Sequence, residues 1–152
     1  MKSKGALTGI AGEYFVAAEL SRRGYVASVT LKNTKGIDIM ASNMTSTHEK
    51  SKAIGIQVKA NSRRRREWVL NQKAEDYSAK NIFYVFVDLI ETDALPQYHI
   101  VPSKVVEQYV KEEHQKWLDT PGKKGQKHNP SSMRMFRDKE DKYLGRWDLL
   151  WE

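Results

Sequence analysis

Apolar positions recur at helical spacing near the start of the chain. Over residues 9–23, Ile10, Tyr14, Ala17 and Ala18 fall three or four residues apart, which predicts a helix with one apolar stripe. Thr8 can cap its start, and Gly24 stands where a helix end favours glycine. The period then shortens to two. Residues 25–31 alternate and predict a strand, a turn follows at 33–35, and residues 36–41 (GIDIMA) predict a second strand. Polar residues over 42–52 predict a hairpin loop, and residues 53–60 (AIGIQVKA) a third strand. Residues 72–80 predict a helix capped by Asn71, and the unbroken run 82–89 predicts a strand buried on both faces. After a loop at 91–96, residues 98–101 predict a short strand. Ser103 is expected to cap an amphipathic helix to about Leu118, with Val106, Tyr109, Val110 and Trp117 on its stripe. The order α-β-β-β-α-β-β-α predicts an α/β fold, a mixed sheet flanked by helices.

Beyond Asp119 the pattern breaks into a stretch rich in Gly, Pro and Lys, beginning Pro121, Gly122, Lys123, Lys124 and Gly125. The chain nevertheless ends with Leu144, Trp147, Leu149, Leu150 and Trp151. So many large apolar groups predict that residues 119–152 are a basic arm folding back on a domain of residues 1–118. At 152 residues, 39% of them apolar, the chain is long enough to fold around its own core.

Charge and composition narrow the function. Lys and Arg number 26 against 19 Asp and Glu, a formal charge of +7, which favours a polyanionic partner such as DNA. The absence of Cys excludes a disulfide scaffold, a thiolate zinc site and a Cys nucleophile. Residues 1–8 carry no apolar stretch of signal-peptide length, and the longest apolar run, 82–87, is far short of the roughly 20 residues that span a bilayer. The expectation is a cytoplasmic protein with no membrane partner.

Four polar groups interrupt the apolar pattern. Glu13 stands in helical register with Ile10, Ala17 and Leu20. Asp38 lies between Ile37 and Ile39, in a strand type from which Asp is depleted. On the third strand Ile54, Ile56 and Val58 point to one face, and Gln57 and Lys59 to the other. If the two strands pair as a hairpin, Asp38 meets Gln57 and Lys59, and the helix can add Glu13. Two carboxylates, the Gln57 amide oxygen and the Val58 carbonyl suit a hard cation such as Mg²⁺ or Mn²⁺, with Lys59 beside it for phosphate or water.

The series Glu13, Gly36-Ile37-Asp38 and Gln57-Val58-Lys59 resembles the PD-(D/E)XK nuclease superfamily. It is nearest to Holliday-junction resolvases and restriction-endonuclease-like members with Gln in the triplet. The resemblance covers the first two thirds of the chain. It implies a metal-dependent endonuclease cutting DNA, with Glu13 and Asp38 as metal ligands, Gln57 assisting and Lys59 as the catalytic lysine. Ile37 stands where many members have Pro, and Gln57 where many have an acid. The whole chain also resembles a group of small bacterial proteins sharing LNQKAE and IVPSKVV stretches.

Arg63, Arg64, Arg65 and Arg66 follow the Lys59 strand and are candidate phosphate clamps. Gln72 and Lys73 are a further extension of that surface. Cutting two strands ordinarily takes two sites, so a homodimer fits. The same residues also fit a DNA-binding module of this fold that has lost cleavage, or an accessory protein whose basic face meets an acidic partner.

Overall fold

The computed structural model describes residues 4–31, 36–44, 51–62 and 64–152. The expected turn at 33–35, much of the 42–52 loop and Arg63 lie outside them. Helix α1 is Lys4–Arg22, followed by strands β1 Val26–Val29, β2 Ile39–Ser42, β3 Ala53–Asn61 and β4 Glu67–Asn71. A 3-10 turn, Gln72–Asp76, leads to β5 Ile82–Asp88, β6 Gln97–Pro102 and helix α2 Ser103–Asp119. Strand β7, Met133–Arg137, and a second 3-10 turn, Trp147–Leu150, complete the order.

Five strands form one mixed sheet in the order β1-β2-β3-β5-β6. Its β3–β5 pair is parallel and the other pairs are antiparallel. Strand β5 explains the double core. Its Phe83, Val85 and Val87 join Ile54, Ile56 and Val58 of β3 beneath Val16 and Leu20 of α1, with Trp147 and Leu150 closing that side. Its Tyr84 and Phe86 face the other way, onto Val106 and Val110 of α2 and onto Trp68, Leu70 and Phe136. Each large apolar side chain buried this way contributes about 1.5–3 kcal/mol against exposure.

The face of α1 that seats on the sheet is Gly12, Val16 and Leu20; of the stripe of Ile10, Tyr14, Ala17 and Ala18 expected from spacing, Ala17 packs against that core while Tyr14 and Ala18 are exposed. Gly12 permits the approach. A Cβ there would stand 2.6 Å from the Ala60 Cβ and 3.5 Å from a Val58 methyl. Chain reversal after α1 uses Gly24 at φ +89°, a conformation glycine adopts without strain.

Three elements depart from the sequence pattern. The helix expected at 72–80 is one short 3-10 turn, for which Asn71 Oδ1 accepts the Lys73 N–H at 3.1 Å. The next residues are held instead by Ser103. Its hydroxyl donates to the Ala79 carbonyl (3.0 Å) and accepts the Ala79 N–H (3.1 Å), so Ser103 ties α2 to this loop and does not cap it. Strands β4 and β7 form a separate two-stranded ribbon, in which Trp68 faces Phe136 and Val69 faces Met135.

The segment after β7 is fastened at the β6 edge. Buried Asp138 accepts from His99 Nδ1 (2.7 Å) and from the Lys142 and Tyr143 N–H groups (both 2.9 Å). Backbone bonds from Ile100 N to Tyr143 O and from Gly145 N to Tyr98 O continue the attachment.

Candidate active site

Strand β3 runs past the end of β2, so among the described residues no strand pairs with that edge at Val58. Asp38 fills that place. It stands just before β2 and not within it, as suits a residue that strands disfavour. Its backbone N–H donates to the Ile56 carbonyl (2.8 Å), and its Oδ2 accepts the Val58 N–H (2.7 Å). The carboxylate is thereby fixed in the plane of the sheet. Its other oxygen, Oδ1, accepts no hydrogen bond among the described residues. Because a strand residue sends its N–H and C=O to the same edge, the Val58 carbonyl faces the same side.

Burial raises the Asp38 pKa above the ordinary carboxylate value, while the Val58 N–H and the positive charge of Lys59 pull it back. Lys59 lies on β3 opposite Phe86, and Gln57 opposite Tyr84, so both point to the α2 side of the sheet. Lys59 lines a cleft of about 760 Å³, together with Lys4 and Thr8 of α1, Asn61, Arg65 and Trp68. Glu13 is half-buried on α1, one residue beyond the Gly12 that sits against Val58 and Ala60. The structure thus brings Asp38 together with Val58 and Lys59; Gln57 precedes Val58 on β3 with its side chain on the α2 face, and Glu13 lies on α1, which packs against the opposite face.

Tyr77 is a part of the site that sequence reasoning missed. Its hydroxyl donates to the Gly36 carbonyl, and its ring packs where a Gly36 side chain would stand, 2.7 Å from a Cβ. Gly36 is also at φ +71°, so glycine is required there twice over. Burial, and next the Asp38 charge, raise the Tyr77 pKa, so the phenol keeps its proton and its bond. Nothing in its expected helical position signalled this role; the adjacent Gly36 and Asp38 were the visible half of the contact.

The arginine run is divided in its roles. Arg64 pairs with Glu91, and Arg66 Nε with Asp141 at 3.0 Å. Both lie in the left-handed region, at φ 54° and 47°. Lys139 holds this loop by donating to the Arg65 carbonyl (2.6 Å), and Asp138 N–H donates to the Arg66 carbonyl (2.9 Å). The Arg65 side chain makes no ion pair among the described residues, and it lines both the Lys59 cleft and a neighbouring cleft with Arg64, Arg66 and Lys139. Gln72 and Lys73 are exposed on the 3-10 turn and are not among the residues lining the Lys59 cleft. Trp68 is a core residue, with its Nε1–H donating to the Val87 carbonyl (3.0 Å).

Among the described residues no group of three or more His, Asp or Glu side chains is arranged to hold a metal ion. The ligand set expected from the sequence, Asp38, Glu13, Gln57 and the Val58 carbonyl, is of another kind, two carboxylates with an amide and a backbone carbonyl. All four are oxygen donors, the chemistry that Mg²⁺ and Mn²⁺ prefer. Among the described residues no helix is long and apolar enough to cross a membrane.

No protein-family model matches the chain, and no curated protein does. Among solved structures it is similar to a bacterial homing endonuclease, with a TM-score of 0.56, 13% identity, and coverage of 99% of this chain and 92% of the other. The two share a fold, which in this chain is a mixed α/β sheet with a helix on each face.

Proposed function

We propose that the protein is a metal-dependent endonuclease of the PD-(D/E)XK type that hydrolyses phosphodiester bonds in DNA. The observation that carries this reading is the Asp38 carboxylate, fixed by the Val58 N–H beside Lys59 at the edge of β3 beyond β2. The fold shared with a homing endonuclease, itself an enzyme that cuts nucleic acid by its name, supports the same reading. Asp38, Glu13, Gln57 and the Val58 carbonyl would hold Mg²⁺ or Mn²⁺, which supplies Lewis-acid polarisation of the phosphate when bound. The Lys59 ammonium would stabilise charge developing on the phosphate oxygens and orient the attacking water. Arg65, and Lys4 across the cleft, supply positive charge where the flanking phosphates would lie.

A second reading keeps DNA binding without cleavage. The neutral Gln57, and the lack of a third carboxylate in the set, favour it. Cleavage assays on supercoiled plasmid, linear duplex, single strand and a four-way junction, each with Mg²⁺, Mn²⁺ or EDTA, separate the two. Metal-dependent cutting of any substrate supports the enzyme, and the preferred substrate names its class. Tight DNA binding with no cutting in either metal supports the second reading.

A further inference from the structure

The β4–β7 ribbon gives only one of its faces to the core. Trp68, Leu70 and Phe136 point inward, and strand alternation turns Val69 of β4 and Met133 and Met135 of β7 outward. Val69 stands opposite Met135, and Met133 follows two residues along on the same face. Val69 and Met133 are each 58% exposed. Among the described residues neither outer edge of the ribbon pairs with a third strand. The outer face runs into the Lys59 cleft, where Val69 and Met135 stand beside Lys4, Lys59 and Arg65. The acid at that place, Glu67, is offset twice, by Arg137 (3.2 Å) and by Lys139 (3.6 Å). An apolar strip within a surplus of positive charge suits a polyanion that itself presents apolar groups.

We propose that this ribbon is the element that reads base sequence, laid in the DNA major groove with Val69, Met133 and Met135 against thymine C5-methyl groups. The proposal rests on the nuclease reading and names what that enzyme recognises. Size permits the fit. The two strands lie about 4.8 Å apart and five residues span about 17 Å, and a two-stranded ribbon enters a major groove about 12 Å wide. Chemistry selects the base. Val69 offers no hydrogen-bonding group and the methionines only a weak acceptor, so the donor and acceptor code of the other bases goes unread. The thymine methyl is the apolar group that the major groove presents. Lys4 and Arg65 would meet phosphates, which positions the duplex without regard to sequence. Because the ribbon and Lys59 share one cleft, the cut falls at a fixed offset from the thymines that are read.

Anisotropy titrations in EDTA, which keeps the DNA whole, test this with two labelled duplexes. Both have one mixed sequence, half of its base pairs A·T, and the second carries deoxyuridine for every thymidine, so the two differ only in the C5-methyl groups. Each methyl covered is worth about fourfold in affinity, so contact with two or more should make wild type prefer the thymine duplex on the order of tenfold. Val69→Ser with Met133→Gln alters two exposed side chains, and its unfolding transition should match wild type. This double variant should bind the two duplexes alike, with the affinity and salt dependence of wild type on the uracil duplex. Wild type that binds both duplexes equally, or a double variant that keeps the wild-type preference, overturns the proposal and leaves the nuclease reading standing. Wild type that binds neither duplex overturns both.

Discussion

One substitution made twice in α1 should change sign with position. Alanine is favoured over glycine inside a helix by about 0.5–1 kcal/mol, because the glycine chain loses more freedom on folding. At Gly9 nothing stands within 4 Å of an added Cβ, so Gly9→Ala should gain that amount. At Gly12 the same atom would stand 2.6 Å from the Ala60 Cβ, on a side chain with no rotamer to yield. Ordinary contact requires the helix to move off β3 by about 1 Å, and overpacking of this kind costs about 1–3 kcal/mol. Subtracting the propensity gain leaves a net loss of about 0–2 kcal/mol, so the two variants should differ by roughly 1–3 kcal/mol. Urea unfolding of both proteins, read at a common slope, measures the difference. Gly12→Ala has a second consequence on the nuclease reading. Glu13 moves with the helix, and a displacement of about 1 Å in a positioned group costs on the order of 100-fold in rate. Equal stabilisation by both substitutions would refute the close seating of α1 on Val58 and Ala60.

Three other outcomes follow from the same geometry. Because burial raises the Asp38 pKa above its value in the unfolded chain, the folded protein binds its proton more tightly, and stability falls as pH rises from the ordinary carboxylate pKa through the raised one. Asp38→Asn keeps an acceptor for the Val58 N–H and removes the buried charge, so in EDTA its melting temperature should exceed wild type at neutral pH, with the gap closing in acid. Arg65→Ala should weaken DNA binding and lower the salt dependence by about one phosphate contact without changing stability, as measured by titrations at several salt concentrations; Arg66→Ala, which loses Asp141, should destabilise as well. Asp138→Ala leaves His99 and two buried-side N–H groups without their acceptor and should cost about 3–5 kcal/mol in chemical denaturation.

The candidate site was legible because it violates local pattern. Asp38 between two isoleucines, and Gln57 and Lys59 alternating with Ile56 and Val58, stand out in strands whose other positions are apolar. The part Asp38 plays was not legible, since its bond to the Val58 N–H depends on how far β3 overruns β2. Tyr77 was hidden for a similar reason. Its place is set by Gly36, forty-one residues earlier, and by Ser103 holding the loop that follows it. The β4–β7 ribbon pairs residues about seventy apart at its Glu67–Arg137 end, beyond the reach of any local period. In α1 the period was correct but ambiguous. A helix apolar on two sides offers two stripes, and only the fit of Gly12 against Ala60 decides which one meets the sheet.

The central claim is that Asp38 and Lys59 form a cutting site, and nicking of supercoiled plasmid in Mg²⁺ or Mn²⁺ tests it most directly. Wild type, Asp38→Asn and Lys59→Ala are compared after each is shown to be folded by its unfolding transition. The account predicts metal-dependent nicking by wild type, abolished in EDTA and lost in both variants, even though Asp38→Asn is the more stable protein. Undiminished nicking by Asp38→Asn would contradict it.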